Sequence, residues 1–299
     1  MPPDIRWCIY RVGCHQVPSL VEDIVGVAWG PSESLGQRHL MDLGLKDKFA
    51  LVTGGSRGIG RAIALALAEE GCGVVVCARG EPDLILLKAE LNNMGVPNFC
   101  IPADVTVPAD RVRVWKAVEE LHGFHILVHN AGGGGRWGEK QAEKTPEGVW
   151  AEVYEKNAGA ATWFTMRAIP LFLKQWVSPA TIGFGRVVTI ASVHGLDHRG
   201  RPWFSMAKAA EIALMRSLAG DPRLAGAGLT FNSVAPGPVM AGGWLEVGAL
   251  PERAEAGRLV LGRLGMPEEV ASAVVFLCSE KSSLINGACL VMDGGGRCQ

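Results

Sequence analysis

Tyrosine is scarce: only Tyr10 and Tyr154 occur in 299 residues. The eight cysteines include no Cys-x-x-Cys pair and no Cys/His quartet at metal spacing, which argues against a metal or dithiol centre. Cys8, Cys14 and His15, in an irregular segment, do not make one by themselves. No apolar run approaches the roughly 20 residues of a bilayer span, so no membrane partner is expected. Charge of neither sign dominates, since 29 Lys and Arg meet 30 Asp and Glu, and this argues against nucleic acid. Repeats, heptad seams and low-complexity tracts are missing. With 48% hydrophobic and 20% charged residues, that excludes a disordered chain, a coiled coil and a collagen-like fibre. A basic segment followed by an apolar stretch is also missing at the start, so no secretory signal is expected. Cys72, Cys77, Cys100 and Cys289 lie in or beside apolar strand-like runs, where cysteine acts as a small hydrophobe. The expected location is the cytoplasm.

What is present divides near Met41. Residues 1–40 show no sustained period of 2 or 3.6 and read as an appended N-terminal extension, or as a start assigned upstream of Met41. Residues 41–299 alternate short apolar runs with helical stretches. Strands are predicted at Phe49–Thr53, Gly73–Ala78, Asn98–Pro102, Ile126–His129, Arg186–Ser192, Leu229–Val234 and Cys289–Met292. Helices are predicted near 59–70, 83–94, 109–121, 146–176, 204–219 and 267–279. Runs such as Val74-Val75-Val76 are apolar on both faces, as parallel strands covered by helices must be. The expected fold is α/β: a single-domain, Rossmann-type, doubly wound parallel sheet of about seven strands flanked by helices.

Directly after the first strand comes Thr53-Gly54-Gly55-Ser56-Arg57-Gly58-Ile59-Gly60, then an alanine-rich helix. Glycines there permit a tight turn and let backbone amides approach a pyrophosphate at the positive end of a helix. Further on stand Asn130-Ala131-Gly132 after the fourth strand, Asn157 in the long helix, Ser192 at the end of the fifth strand, and Lys208 sixteen residues later. Pro236-Gly237-Pro238-Val239 follows the sixth strand, and Asp293-Gly294-Gly295 lies near the end. This ordered series, over about residues 43–296, resembles the short-chain dehydrogenase/reductase family.

The resemblance implies a nicotinamide cofactor held by Gly54, Ser56, Arg57, Gly58, Ile59, Gly60, Arg79, Asp104, Val105, Asn130, Ala131, Gly132, Lys208, Pro236, Gly237 and Val239. Asp104 and Val105 would flank the adenine. Where the family's NAD-selecting acid would stand, this chain has Ala78, with Arg57 and Arg79 nearby. Forked guanidinium donors suit a 2′-phosphate, so NADP(H) is expected over NAD(H), which stays possible.

The family's catalytic signature is Tyr-x-x-x-Lys. Here that register reads Phe204-Ser205-Met206-Ala207-Lys208: the lysine is present and the phenol is absent. The resemblance implies that Ser192 positions the substrate oxygen, Lys208 binds the nicotinamide ribose and Asn157 orders a relay water. Loss of a positioned acid slows such chemistry by about 10²–10⁴. Three readings follow: an oxidoreductase with another proton donor, among Ser205, His194, Asp197 and His198; a nucleotide-binding regulatory or assembly subunit; or an introduced change at 204. Of the donors, His194 and His198 titrate nearest neutral pH.

Trp137, Trp203 and Trp244 could wall a substrate cleft, and Arg136, Arg199 and Arg201 could meet an anionic group. Tyr154 reads as a helix core residue. The expected activity is NADP(H)-dependent interconversion of a carbonyl and an alcohol on a small or sugar-like molecule. The resemblance also implies a homo-oligomer, tetramer or dimer, packed through the long helices, where Ala158-Gly159-Ala160-Ala161 and Ala207, Ala209 and Ala210 offer small side chains.

Overall fold

In the computed structural model the described residues are 41–134, 138–139, 141–175, 183–197, 201–241 and 260–296. Asp42–Gln299 forms one unit, and residues 1–40, with Tyr10, Cys8, Cys14 and His15, lie outside the described residues. Seven strands make one sheet: β1 (Phe49–Thr53), β2 (Gly73–Ala78), β3 (Asn98–Pro102), β4 (Ile126–His129), β5 (Gly185–Ile190), β6 (Leu229–Pro236) and β7 (Cys289–Met292). Their order is β3-β2-β1-β4-β5-β6-β7, and every pairing is parallel. The helices are α1 (Gly58–Glu69), α2 (Glu81–Asn93), α3 (Pro108–Glu119), α4 (Glu147–Tyr154), α5 (Ala160–Gln175), α6 (His194–Asp197), α7 (Pro202–Ala219), α8 (Pro222–Gly226) and α9 (Pro267–Cys278). Short 3₁₀ turns at Ala142–Lys144 and Glu280–Ser282 complete the described elements.

Alternation along the strands builds two cores. Ala50, Val52, Val74, Val76, Ile126 and Val128 face one layer, which contains α1 and α9 residues such as Ile63, Leu67, Val270 and Val274. Leu51, Val75, Cys77 and Leu127 face the other, with Val114, Phe164, Phe172 and Met215 from α3, α5 and α7. A strand buried on both sides has no polar face to show, which is why the runs read as continuous apolar text. Proline at the first or second position opens α2, α3, α7, α8 and α9, where its missing N–H costs no hydrogen bond.

Several boundaries depart from the sequence reading, and β5 begins at Gly185, one residue before the predicted Arg186. β5 ends at Ile190, two residues short of Ser192, although the Ala191 and Val193 amides still reach the Val234 and Pro236 carbonyls of β6. β6 runs on to Pro236, which pairs with Met292 of β7, so the Pro-Gly-Pro-Val segment begins inside the strand. The helix expected at 146–176 is interrupted by a π turn at Glu155–Gly159.

Candidate active site

At the strands' carboxyl ends, where the order reverses between β1 and β4, a cavity of about 820 Å³ opens. Its floor is the turn between β1 and α1. Gly54 and Gly58 have φ of 67° and 56°, which side chains rarely tolerate. A Cβ on Gly54 would stand 2.8 Å from Ala131 Cα, and one on Gly60 would stand 2.4 Å from the Gly54 carbonyl oxygen. The turn is tied to the loop after β4. Thr53 Oγ1 accepts from the Asn130 and Ala131 amides, and Asn130 Nδ2 donates to the Thr53 and Gly54 carbonyls. No side chain caps α1 and its first turn holds no acid, so its amide end and dipole suit a phosphate.

One end of the cavity is cationic. Arg57, Arg79 and Lys156 line it beside Asp83 and Asp104. Arg79 Nη1 lies 3.8 Å from Asp104 Oδ2. Asp104 also accepts from the Thr106 amide and hydroxyl, at 2.9 and 2.7 Å. Burial works to raise its carboxyl, but those hydrogen bonds and the charges of Arg79 and Lys156 outweigh it, and the group lies below the ordinary carboxylate range. Burial and Arg79 draw the Lys156 ammonium down.

At the other end stand Phe204, Lys208, Ile190, Ala191 and Gly132. Lys208 is 4% exposed, and its Nζ donates to the Ile190 carbonyl at 2.8 Å. The same Nζ lies 2.9 Å from Glu211 Oε2, on a side chain 1% exposed, and 5.9 Å from the Phe204 ring centroid. Burial raises the Glu211 carboxyl, opposed by Lys208. Asn157 sits in the π turn and clamps Gly133: its Oδ1 accepts from the Gly133 amide and its Nδ2 donates to the Gly133 and Val153 carbonyls. Ser192 is half-buried, and its Oγ accepts from the His194 amide at 3.2 Å. His194 Nδ1 lies 3.8 Å from Asp197 Oδ1.

The cavity brings together Gly54, Ser56, Arg57, Gly58, Ile59, Arg79, Asp104, Val105, Asn130, Ala131, Gly132, Phe204 and Lys208. Gly60, Asn157, Ser192, Pro236, Gly237 and Val239 support its walls without lining it. Gly237 packs on Asp293, and Val239 bridges to Gly265. Two expectations are corrected. Tyr154 is 42% exposed, because α4 turns the neighbouring Val153 inward and leaves Tyr154 on its outer face. Trp203 is fully buried, with its Nε1 donating to the Gly134 carbonyl and its ring against Trp150, so it is core and not a cleft wall. Arg201 donates to the Glu139 carbonyl. Arg136, Trp137, His198, Arg199 and Trp244 lie outside the described residues. Cys72, Cys77 and Cys278 are buried, and burial pushes the Cys77 thiol up to about 12. Among the described residues no cluster of His, Cys, Asp or Glu is placed to hold a metal ion, and no helix is long and apolar enough to cross a membrane.

Three ionisable residues of the site were not singled out in the sequence: Asp83, Lys156 and Glu211. Lys156 directly precedes Asn157, and Glu211 is the lone acid in the apolar stretch from Ala207 to Leu214. That isolated carboxylate, three residues after Lys208, was the available signal.

The family model described as Enoyl-(Acyl carrier protein) reductase matches residues 54–296. Among curated relatives, 4-formylbenzenesulfonate dehydrogenase of Comamonas testosteroni is 36% identical over 261 residues, covering 85% of this chain and 99% of the relative. The 3-oxoacyl-(acyl-carrier-protein) reductase of Vibrio cholerae is 32% identical, covering 85% and 98%. Among solved structures, 7α-hydroxysteroid dehydrogenase complexed with NADH and 7-oxo glycochenodeoxycholic acid superposes with a TM-score of 0.75 at 29% identity, covering 85% and 96%. A short-chain dehydrogenase/reductase of Mycobacterium marinum gives 0.75 at 30% identity, covering 86% and 99%. With the parallel sheet, the glycine turn and these likenesses together, the chain belongs to the short-chain dehydrogenase/reductase family of oxidoreductases.

Proposed function

We propose that this chain is an NADP(H)-dependent oxidoreductase interconverting a carbonyl and an alcohol on a small or sugar-like molecule. The observation that carries it is one cavity joining an uncapped, glycine-lined helix end and three cations to the Phe204–Lys208 wall. A dinucleotide suits that shape. In the turn after β1, Gly54, Gly55 and Gly60 have no room for a Cβ, and its backbone can meet a diphosphate. Arg57, Arg79 and Lys156 favour a phosphorylated ribose over a bare one, and Ala78 at the end of β2 brings no carboxylate to accept from ribose hydroxyls. When bound, reduced nicotinamide supplies the hydride. Lys208 then holds the nicotinamide ribose, Asn157 orders the loop at Gly133 and a relay water, and Ser192 orients the substrate oxygen. Phe204 stands where the family's tyrosine would be.

A second reading, a nucleotide-binding subunit without turnover, is favoured by that missing hydroxyl alone. Calorimetry with NADPH and NADH, followed by NADPH oxidation in the presence of 4-formylbenzenesulfonate or acetoacetyl-CoA as probes, separates the two. Turnover that Ser192→Ala abolishes supports the enzyme. Tight NADPH binding with no turnover supports the subunit, and no binding of either nucleotide ends both readings. Phe204→Tyr sharpens the result, because a large gain in rate marks an acid-deficient reductase site. We further propose a cytoplasmic homo-oligomer, testable by light scattering. Ala158, Ala160, Ala161 and Ala207 are already buried within the chain, so exposed Met166 and Met206 are the better interface candidates on α5 and α7.

A further inference from the structure

We infer that Lys208, charge-balanced by the buried Glu211, is the group that gives the substrate oxygen its proton in this chain. The inference rests on the oxidoreductase reading above and on Phe204 occupying the family's tyrosine position. Among the described residues lining the cavity, the ionisable groups are Arg57, Cys77, Arg79, Asp83, Asp104, Lys156 and Lys208. The first six flank the ends of β1 to β3 and the π turn, and only Lys208 shares the wall with Phe204. His194 is a weaker candidate. Its side chain is 42% exposed, it lies beside Asp197, and it does not line the cavity.

Lys208 Nζ has three protons. One goes to the Ile190 carbonyl, and Glu211 Oε2 stands 2.9 Å away as an ion-pair partner. That leaves protons for the nicotinamide ribose and the substrate oxygen on a side chain that lines the cavity, its Nζ packed against Gly132. An ammonium can stand in for the family's phenol as a proton donor. What differs is charge. A phenol becomes an anion on giving up its proton, whereas an ammonium becomes a neutral amine. A buried carboxylate is costly unless paired, and lysine's role in holding a ribose does not require one. Glu211 has a purpose if it keeps the ammonium charged until the proton is used. In that step the carbonyl carbon takes the hydride's electron pair and the C=O π pair moves to oxygen. The Nζ–H bond then breaks to give oxygen its proton, leaving a neutral amine that regains a proton from water.

The test uses the full chain with NADPH and the two carbonyl probes named above. Lys208→Arg keeps a charge but cannot release a proton near neutral pH. NADPH affinity by fluorescence titration is expected to stay within about threefold while turnover falls at least about 100-fold. Adding Phe204→Tyr to that variant should restore at least about tenfold. Should Lys208→Arg fail to fold, Glu211→Gln carries the test. It is expected to lower turnover about tenfold at unchanged NADPH affinity and, without nucleotide, to make Lys208 more than about tenfold more reactive toward acetic anhydride at pH 7, read by mass spectrometry. Turnover by Lys208→Arg within threefold of the parent overturns the inference while the oxidoreductase stands. So does loss of turnover only through loss of NADPH binding, or equal acylation in the parent and Glu211→Gln. A parent that binds NADPH and turns over neither probe overturns the oxidoreductase reading itself, and this inference with it.

Discussion

The two ends of the cavity are made of different materials. Beside β1 to β3, the ligand-facing surface is long cations and the backbone of a turn whose Gly54, Gly55 and Gly60 admit no Cβ without a clash. Beside β5 and α7 it is the side chains of Phe204 and Lys208, backed by groups packed into the fold itself: Glu211 and the Trp203–Trp150–Val153 cluster. At the first end charge can change without disturbing the core. At the second, ligand contacts and stability are one network. Fold and chemistry are separable at one end and coupled at the other.

That contrast can be broken experimentally. The largest effect is expected from Trp203→Ala, which removes a fully buried ring and should cost about 3–5 kcal/mol in denaturant unfolding. A cost under about 1 kcal/mol would detach the second end from the core. Gly60→Ala probes the first end, where a Cβ meets the Gly54 carbonyl oxygen at 2.4 Å, and should cost about 1–3 kcal/mol with weakened nucleotide binding.

His129, between the two ends, gives a pH signature. Burial, with Lys208 second, holds it at about 3, and its Nε2 shares a 2.8 Å hydrogen bond with Thr165 Oγ1. The folded protein keeps it neutral, while the unfolded chain takes up a proton below about pH 6.5. Its contribution is complete above that pH and is lost as pH falls toward 3, at about 1.4 kcal/mol per unit. Between pH 6.5 and 5 the parent should lose about 2 kcal/mol more than His129→Asn, measured by urea midpoints. Equal losses would mean the histidine is protonated in place.

The smallest stability effect is expected from Arg57→Ala with Arg79→Ala: within about 0.5 kcal/mol by unfolding, because both chains are peripheral. The same variant should lower the NADPH-to-NADH affinity ratio at least about tenfold. An unchanged ratio would remove the cations from cofactor choice.

Legibility followed the same divide. β1 to β4 match the predicted strands at both ends, because β1, β2 and β4 are buried on both faces and Gly73, Pro97 and Pro102 punctuate β2 and β3. The glycine turn was legible for a similar reason: φ above zero and close backbone approach leave a residue-type imprint at fixed spacing. β5 and β6 differed at their ends because ladder bonds persist past Ile190 and Pro236 closes a strand by pairing with Met292, and both are decisions of neighbouring strands. Trp203 read as a cleft residue because an aromatic beside Phe204 carries no mark of which way it faces. Glu211 was in view as a lone acid in alanine-rich text, yet its partner became apparent only when α7 was seen to bury both charges.

The π turn at Glu155–Gly159 has one more consequence. An α-helix advances about 100° per residue, so one residue too many in a turn rotates everything after it by that angle. α4 can therefore set Val153 and Trp150 against α7, while α5, continuing the same rod, sets Phe164 and Phe172 against the sheet. Two docking faces a quarter-turn and more apart are served without a loop, and Asn157 sits at the dislocation where the handover occurs. Shortening that segment by a single residue would leave one face correctly seated and swing the other away from its mate.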